Sequence, residues 1–234
     1  MKKTILLLVI FSLIVLSFSV SAKNINFVGG YTSNSLTPEY TAQFTNTQLK
    51  LSSEAVSGNG FYFGGRYFIN QKLGFGLGYD HVIAPLGISL DLSDNCNQLL
   101  LNINNDSKIS GPYGEIVYRI NKYINLNGAV AYYNYINDLS YDVTISGNNH
   151  NDNGDLAKGE GYGYIIGSEL NYPFHKNWSL VSSLGYRTTT IDINKINMTP
   201  FGPQDNYVDT DNYLDDFDVK FKGLRFGIGL SYNF

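Results

Sequence analysis

Three segments of this sequence repeat one design, in which side chains alternate between apolar and polar on both sides of a short turn. The segments read GRYFINQKLGFGLGYD, GEIVYRINKYINLNGAVAYY and GSELNYPFHKNWSLVSSLGYR, and their turns carry Lys72, Lys122 and Lys176. Successive side chains of a β-strand point to opposite faces, so each segment predicts two strands that are apolar on one face. The short turns predict three tight antiparallel hairpins, spaced about fifty residues apart.

Long stretches rich in Asn, Asp, Ser and Gly separate these hairpins. They cover about residues 33–57, 85–107, 144–157 and 194–217. Short turns at one end and long polar loops at the other are typical of outer-membrane β-barrels. The sequence therefore predicts an all-β fold, a transmembrane antiparallel up-and-down β-barrel. Its four long loops would face outward and its three short turns would face the periplasm.

The strand count follows from the hairpins. The predicted strands are Asn24–Thr32, then 59–69 with 73–83, 109–120 with 124–136, 159–174 with 178–193, and finally 218–234. The total is eight, an even number, as single-chain bacterial barrels have. Alternation within EYTAQFTNTQLKLS leaves a second interpretation open. In that interpretation the strands rise beyond the membrane, or an extra hairpin raises the count to ten.

The chain ends on GLRFGIGLSYNF, in which apolar or aromatic side chains alternate with small or polar ones. In lipid every backbone polar group needs a partner within the protein, so we expect this last strand to close the sheet against the first. The ending resembles the C-terminal assembly signal of outer-membrane β-barrel proteins, on Gly229, Tyr232 and Phe234. It departs from that signal at Gly227, where a polar residue is preferred. The resemblance implies that the barrel assembly machinery is a partner.

Over its full mature length, the pattern of strands is similar to that of the small OmpA/OmpX-type family of eight-stranded, porin-like barrels. That family is functionally diverse, so the resemblance implies a fold and a location but no single activity. The implied location is the outer membrane of a diderm (Gram-negative-type) bacterium, with outer-membrane lipid around the barrel. The net charge of −4 comes without a basic patch, so we expect no nucleic-acid partner.

The first residues read as a secretory signal peptide. A positive start, MKK, is followed by the apolar run TILLLVIFSLIVLSFSV and by small residues up to Ala22. We expect cleavage there, which makes residues 1–22 the signal peptide and residues 23–234 a single barrel domain. An uncleaved inner-membrane anchor is the alternative, because the apolar run approaches spanning length. Cys96 is the chain's one cysteine, so we expect no disulfide framework.

The same alternation assigns the charged side chains to a face. If the apolar face of each strand meets lipid, seven charged residues point into the lumen: Arg66, Asp80, Glu115, Arg119, Glu169, Arg187 and Arg225. They include all four arginines of the chain. An arginine on the lipid face would cost about 2–4 kcal/mol at mid-membrane, whereas a lumen arginine can pair with carboxylates. Two interpretations stay open. A packed polar core suits a barrel as narrow as eight strands, and a conducting pore lined by charge is the alternative.

The histidines do not form a catalytic pattern. Asp80 and His81 are neighbours on one strand, so their side chains point to opposite faces, and His81 would face lipid or the outer rim. Outer-membrane omptin proteases use an Asp-x-His pair and barrel lipid A deacylases a His-x-Ser pair. Neither His150 nor His175 stands in such a context. We therefore expect no enzyme and no cofactor.

Two polar stretches have the composition of cation sites. Residues 149–160 approximate an EF-hand calcium loop, with Asn151, Asn153, Gly154 and Glu160 in register, but strands flank them instead of helices. Asn, Asp and Gly are also common at hairpin tips, which is the interpretation we favour. The stretch 205–218 is denser in acids, and a solvated acidic loop is the simpler reading. We expect no metal site.

The leading functional hypothesis is a structural or surface-interaction protein, with the four outer loops as its working surface and a host or surface ligand as its partner. The alternative is a small-solute, porin-like channel. A membrane-embedded enzyme is the third class.

Overall fold

The computed structural model describes residues 24–44, 47–52, 54–94, 97–145, 148–197, 207–210 and 216–234. The strands are β1 (Ile25–Phe44), β2 (Thr47–Ser52), β3 (Val56–Phe68), β4 (Leu73–Asp94), β5 (Asn97–Arg119), β6 (Ile124–Ile145), β7 (Asn148–Pro173), β8 (Trp178–Asn197), β9 (Tyr207–Asp209) and β10 (Asp216–Asn233). Residues 1–22, the predicted signal peptide, and much of the acidic stretch 205–218 lie outside the described residues. Within the described ranges no helix is long and apolar enough to cross a membrane.

Eight strands form a closed antiparallel ring, in the order β1, β3, β4, β5, β6, β7, β8, β10 and back to β1. The last strand closes the ring as predicted, since β10 pairs with β1 from Asn26↔Asn233 to Gln43↔Asp216. The two remaining short strands stand outside the ring, with β2 paired to β1 and β9 paired to β8. The eight-stranded barrel is confirmed. The ten-stranded alternative is wrong, because the extra alternation belongs to a β1–β2 hairpin that rises above the ring.

The long connections are much shorter than the sequence predicts. The β4–β5 ladder continues to Asp94↔Asn97 and the β6–β7 ladder to Ile145↔Asn148. The loops predicted at 33–57, 85–107 and 144–157 are therefore wrong, because most of their residues lie in strands that extend the barrel. Hydrophobic alternation does not reveal these extensions, since both faces of a protruding strand can meet water.

The three short turns at the opposite end are confirmed, and asparagine side chains close two of them. In the β3–β4 turn, Asn70 Oδ1 accepts hydrogen bonds from the backbone N–H groups of Lys72 and Leu73, both at 2.8 Å. In the β5–β6 turn, Asn121 Oδ1 accepts from Tyr123 and Ile124 at 2.8 and 2.9 Å. An asparagine that bonds the backbone two or three residues on mimics a backbone turn, which explains why both turns contain one.

The interior has two layers. An apolar layer lies toward the strand extensions and contains Leu36, Val82, Ile109, Tyr133, Ile191, Val219 and Phe221, all buried. The charged residues lie between this layer and the short turns. Side chains therefore fill the barrel, as expected for eight strands.

Inward glycines let neighbouring strands approach closely beside the apolar layer. A Cβ atom on Gly111 would lie 1.9 Å from the Tyr132 carbonyl oxygen, and one on Gly223 would lie 1.6 Å from the Ser35 carbonyl oxygen. Gly60 and Gly161 repeat this geometry on β3 and β7. Glycine tolerates such approaches and allows a strand to curve inward. We infer that the curvature narrows the barrel where the apolar layer fills it.

Candidate functional site in the barrel interior

The structure places all seven charged residues of the predicted lumen on the inward faces of their strands. Six of them are buried: Arg66, Asp80, Glu115, Glu169, Arg187 and Arg225. Arg119, which lies nearest to the short turns, is only half-buried. The six buried residues divide into two groups of opposite net charge.

The first group joins one arginine to two glutamates across the lumen. Arg66 Nε and Nη2 donate to the two oxygens of Glu115 at 2.7 and 3.0 Å. Arg66 Nη1 and Nη2 donate to the two oxygens of Glu169, both at 2.7 Å. The three residues come from β3, β5 and β7, so this group ties together strands that are not neighbours. Its formal charge is −1.

The second group joins one aspartate to two arginines and a tyrosine. Asp80 forms a short ion pair with Arg187, and its other oxygen lies 3.5 Å from Arg225 Nη2. Tyr133 donates its hydroxyl to Asp80 at 3.0 Å. Arg225 also lies over the ring of Tyr62, 4.8 Å from its centroid. The formal charge of this group is +1, so the two groups together are neutral, as a low-dielectric interior requires.

Several buried residues of this interior are missing from the lumen set that the sequence predicts. Tyr62, Tyr113 and Tyr133 are buried beside the charges, on the inward faces of their strands. Their parity was the available signal, because Tyr62 lies four residues from Arg66 and Tyr113 lies two from Glu115 on the same strands. A void of about 20 Å³ lies where the two charged groups meet, and Tyr62, Arg66, Asp80 and Arg225 are among the residues that border it. A void of that size holds about one water molecule.

The exterior shows what surrounds this polar interior. Exposed aliphatic and aromatic side chains cover the ring on every strand, among them Phe27, Phe63, Phe75, Ile116, Val130, Ile166, Leu184 and Ile228. An apolar outside around a polar inside reverses the arrangement of a protein in water. It suits a closed sheet surrounded by lipid.

The chain is a transmembrane β-barrel of the outer-membrane type. Its resemblance to small outer-membrane barrels is thereby confirmed at the level of architecture. No protein-family model matches the sequence, and the comparison with curated proteins gives no match either.

Solved structures similar to the barrel are themselves outer-membrane proteins. Ail, the attachment invasion locus protein of Yersinia pestis, shows 15% identity over 91% of this chain and 99% of that one, with a TM-score of 0.36. OprG of Pseudomonas aeruginosa shows 14% identity over 91% and 96%, with a TM-score of 0.42. The outer membrane protease OmpT of Escherichia coli shows 10% identity over 93% and 99%, with a TM-score of 0.43. Similarity at this level says nothing about activity, and the architecture stands on the strand pairing itself.

Arg119 stands apart from the two charged groups. Its guanidinium lies over the ring of Phe68, 4.0 Å from the centroid, and it makes none of the salt bridges found within the described residues. The predicted lumen holds four arginines and three carboxylates, and the structure pairs three arginines with the three carboxylates. Arg119 instead lines a cavity that opens at the short-turn end.

The histidines and the calcium-like segment lie away from the charged interior. His81 packs on the outside, with its ring centroid 5.0 Å from that of Phe61, and His175 lies in the turn between β7 and β8. His150 pairs with Val143 in the β6–β7 extension. The expectation of a hairpin tip at residues 149–160 is wrong, because this segment belongs to β7. No group of three potential metal ligands lies together in the part of the chain that the structure describes.

The predicted assembly signal lies at the seam of the barrel. Tyr232 contacts Trp178 and Phe234 with ring centroids 5.0 and 4.9 Å apart, and Phe234 contacts Phe27 at 5.6 Å. These four rings form an aromatic cluster at the short-turn end, where barrels carry an aromatic girdle. Gly229 lies opposite Gly30 of β1, and a Cβ atom on it would be 2.3 Å from the Gly29 carbonyl oxygen.

Ion pairs brace the strand extensions above the apolar band. Lys108 of β5 forms a short ion pair with Asp138 of β6. Within β7, Lys158 lies 2.8 Å from Asp155, and the Tyr207 hydroxyl of β9 donates to Asp155 at 3.0 Å. The Lys158 hydrogen bond holds the pKa of Asp155 below its ordinary value, and the same bond raises the pKa of Lys158. These contacts connect β5 with β6 and β7 with β9 in the protruding part of the barrel.

Proposed function

We propose that this protein is a surface-interaction barrel, whose working surface is formed by the strand extensions and loops at its long end. The observation that carries the proposal is the length of those extensions. The β4–β5 ladder runs on from Ile83↔Lys108 to Asp94↔Asn97, above a band that already suffices to cross the membrane. A protein needed only inside the membrane has no use for such ladders.

The filled interior supports the same proposal. Two charged groups that neutralise each other and an apolar layer occupy the lumen, so the ring provides a rigid support for the extensions. The surroundings expected for such a support are outer-membrane lipid along the apolar band and the barrel assembly machinery at β10. The partner of the long end is a host or surface ligand. Catalysis has no part in this proposal.

The experiment compares the complete protein with a trimmed one in cells that lack the native gene. In the trimmed protein, the segment 86–105 and the segment 139–154 are each replaced by one short turn, and the eight-stranded ring is retained. Adherence to solid surfaces and cell-to-cell aggregation are measured, and the amount of folded barrel is checked by its resistance to detergent at room temperature. We expect the complete protein to restore adherence or aggregation and the trimmed one to fold but restore neither. Equal restoration by both would place the function within the membrane.

A small-solute channel is the second candidate, and the cavities favour it. The void of about 20 Å³ among the charged groups lies on the way from the cavity at the short-turn end, which measures about 570 Å³. Arg187, which pairs with Asp80, has its Nε and Nη1 buried without hydrogen-bond partners among the described residues. A rearrangement of the ion pairs would be needed to connect these spaces with the long end. Cells that lack the native gene would then grow slowly on a limiting solute, and the trimmed protein would restore their growth. That result would support this candidate.

A further inference from the structure

The cavity at the short-turn end is a blind vestibule inside the barrel. It measures about 570 Å³, a volume typical of small-molecule sites. Arg66 and Phe68 form part of its inner wall, and the three turns that connect β3–β4, β5–β6 and β7–β8 surround its mouth. The neutral charged groups and the apolar layer close its far end. In outer-membrane barrels the short turns face the periplasm, so periplasmic solutes have access to this space.

The charges around the vestibule are of one sign. Its lining includes Arg66, Arg119 and the turn residues Lys72, Lys122 and Lys176, and no Asp or Glu is among its described lining residues. Glu115 and Glu169 pair with Arg66 from behind, and this group carries a formal charge of −1. The other four cations form no salt bridge within the described residues. A concave space lined by one sign of charge concentrates ions of the opposite sign.

Arg119 is arranged to present its hydrogen-bond donors to this space. The Arg119 guanidinium carbon lies over the Phe68 ring, 4.0 Å from its centroid, and no carboxylate among the described residues pairs with the N–H groups of Arg119. Stacking on an aromatic ring uses the face of a guanidinium and leaves those edge donors free. Two adjacent N–H groups of an arginine fit the oxygens of a carboxylate or phosphate.

Ser231 adds an independent sign of a ligand. Ser231 lines the vestibule from β10 and is only 2% exposed, and its Oγ is buried without a hydrogen-bond partner in the part of the chain that the structure describes. A buried hydroxyl without a partner is costly, and a bound oxygen acceptor would satisfy it. Nearby, Asn26 Nδ2 donates to Asn233 Oδ1 at 2.8 Å, and both of these residues also line the vestibule.

We propose that the vestibule binds a small multivalent oxyanion from the periplasmic side, with Arg119 as the principal ligand-binding residue and Ser231 as a second donor. Several cations around one cavity favour a multivalent anion over chloride or acetate. The volume exceeds what a single phosphate group fills, so the chemistry points to a small organic phosphate or a polycarboxylate. This proposal does not depend on the function assigned to the strand extensions.

The test is calorimetric titration of the refolded full-length barrel in lipid nanodiscs at low ionic strength. The probes are pyrophosphate and citrate, which distinguish the two classes of oxyanion, and acetate serves as the monovalent reference. We expect saturable binding of at least one probe and none of acetate. Arg119→Gln should weaken that binding about tenfold or more, as loss of a charge-assisted hydrogen bond does. Ser231→Ala should weaken it about three- to tenfold.

The control variant is Lys158→Gln, which removes one positive charge at the opposite end and should leave binding unchanged. Arg119→Lys keeps the positive charge but loses the two adjacent N–H donors of the guanidinium, so this variant should bind the oxyanion with intermediate affinity. It also carries the test if Arg119→Gln does not fold. Absence of saturable binding, or equal weakening by Lys158→Gln and Arg119→Gln, would overturn the proposal and leave only general attraction between an anion and a charged surface.

Discussion

At the level of single residues, the stability of the barrel depends on buried charged side chains, each of which needs an oppositely charged partner. Arg66 is fully paired, because Glu115 and Glu169 each receive two of its hydrogen bonds. Removing one partner from a buried pair leaves an uncompensated charge and typically costs about 3–5 kcal/mol. An exposed pair contributes less than about 1 kcal/mol. The barrel contains both kinds.

Loss of Glu169 gives the neutral lumen a net charge of +1, so we expect Glu169→Ala to lower the free energy of unfolding by about 3–5 kcal/mol, measured by urea titration in lipid vesicles. The matched control is Asp155→Ala, which breaks the exposed pair with Lys158 and should cost less than about 1 kcal/mol. Equal and small losses at the two sites would show that the lumen is wet and screened.

The exposed pair also predicts a pH dependence. The pKa of Asp155 lies below its ordinary value of 3.8, so this pair contributes stability above that pH and loses it as the pH falls through the folded-state pKa. The pKa of Lys158 is raised from 10.5, so its contribution is complete below that value and is lost only as the pH rises through the raised pKa. The measurement is hydrogen–deuterium exchange of the backbone amides of Tyr207–Asp209, corrected for the intrinsic exchange rate. We expect their protection from exchange to stay constant near neutral pH and to fall in strong acid. Asp155→Asn should abolish that fall, and an unchanged acid profile in the variant would refute the assignment.

At the scale of the strands, glycine positions decide how closely neighbours approach. A side chain on Gly111 would collide with the Tyr132 carbonyl oxygen, whereas a Cβ atom on Gly128 of β6 meets nothing within 4 Å. We expect Gly111→Ala to reduce the yield of folded barrel severely, because backbone atoms have to move to admit the methyl group. Gly128→Ala should fold as well as the wild type. The readout is the fraction that keeps compact electrophoretic mobility without heating, and equal yields would contradict the close approach.

The closing strand makes a second prediction at this scale. Tyr232 packs between Trp178 and Phe234, so Tyr232→Asp should disrupt the aromatic cluster and reduce insertion into the outer membrane. Deleting Phe234 should act in the same way. Tyr232→Phe keeps the ring and loses only the hydrogen bond from Asn177, so it should insert nearly as well as the wild type. Normal levels of all three variants in the outer membrane would show that the C-terminal residues are not an assembly signal.

The strands also show what alternation reveals and what it does not. The period of two identifies the hairpins around Lys72 and Lys122 and the face on which Arg66 and Glu169 lie, because one face meets lipid. It cannot reveal that β4 continues to Asp94, since no apolar face is required above the membrane. Nor can it show that Arg66 pairs with Glu115 and Glu169, because these contacts cross the lumen and depend on how the strands are staggered around the ring.

At the scale of the whole molecule, the orientation of the barrel is testable through its single cysteine. Cys96 lies outside the described residues, but in the sequence it stands between the end of β4 at Asp94 and the start of β5 at Asn97, both at the long end. A membrane-impermeant maleimide should therefore label the protein on intact cells. In a Cys96→Ser background, Lys122→Cys at a short turn should be labelled only after the outer membrane is permeabilised. The reverse pattern would invert the barrel.

Side chains of the barrel itself close the lumen, and single-channel recording in planar lipid bilayers can detect whether any conducting path remains. The refolded full-length protein, inserted at known density, should show no steady unitary current across a range of voltages. Glu169→Ala, which leaves Arg66 with one partner, should show brief and irregular openings at most. Stable ohmic steps from the wild-type protein would show that the lumen is open and that the barrel is a channel.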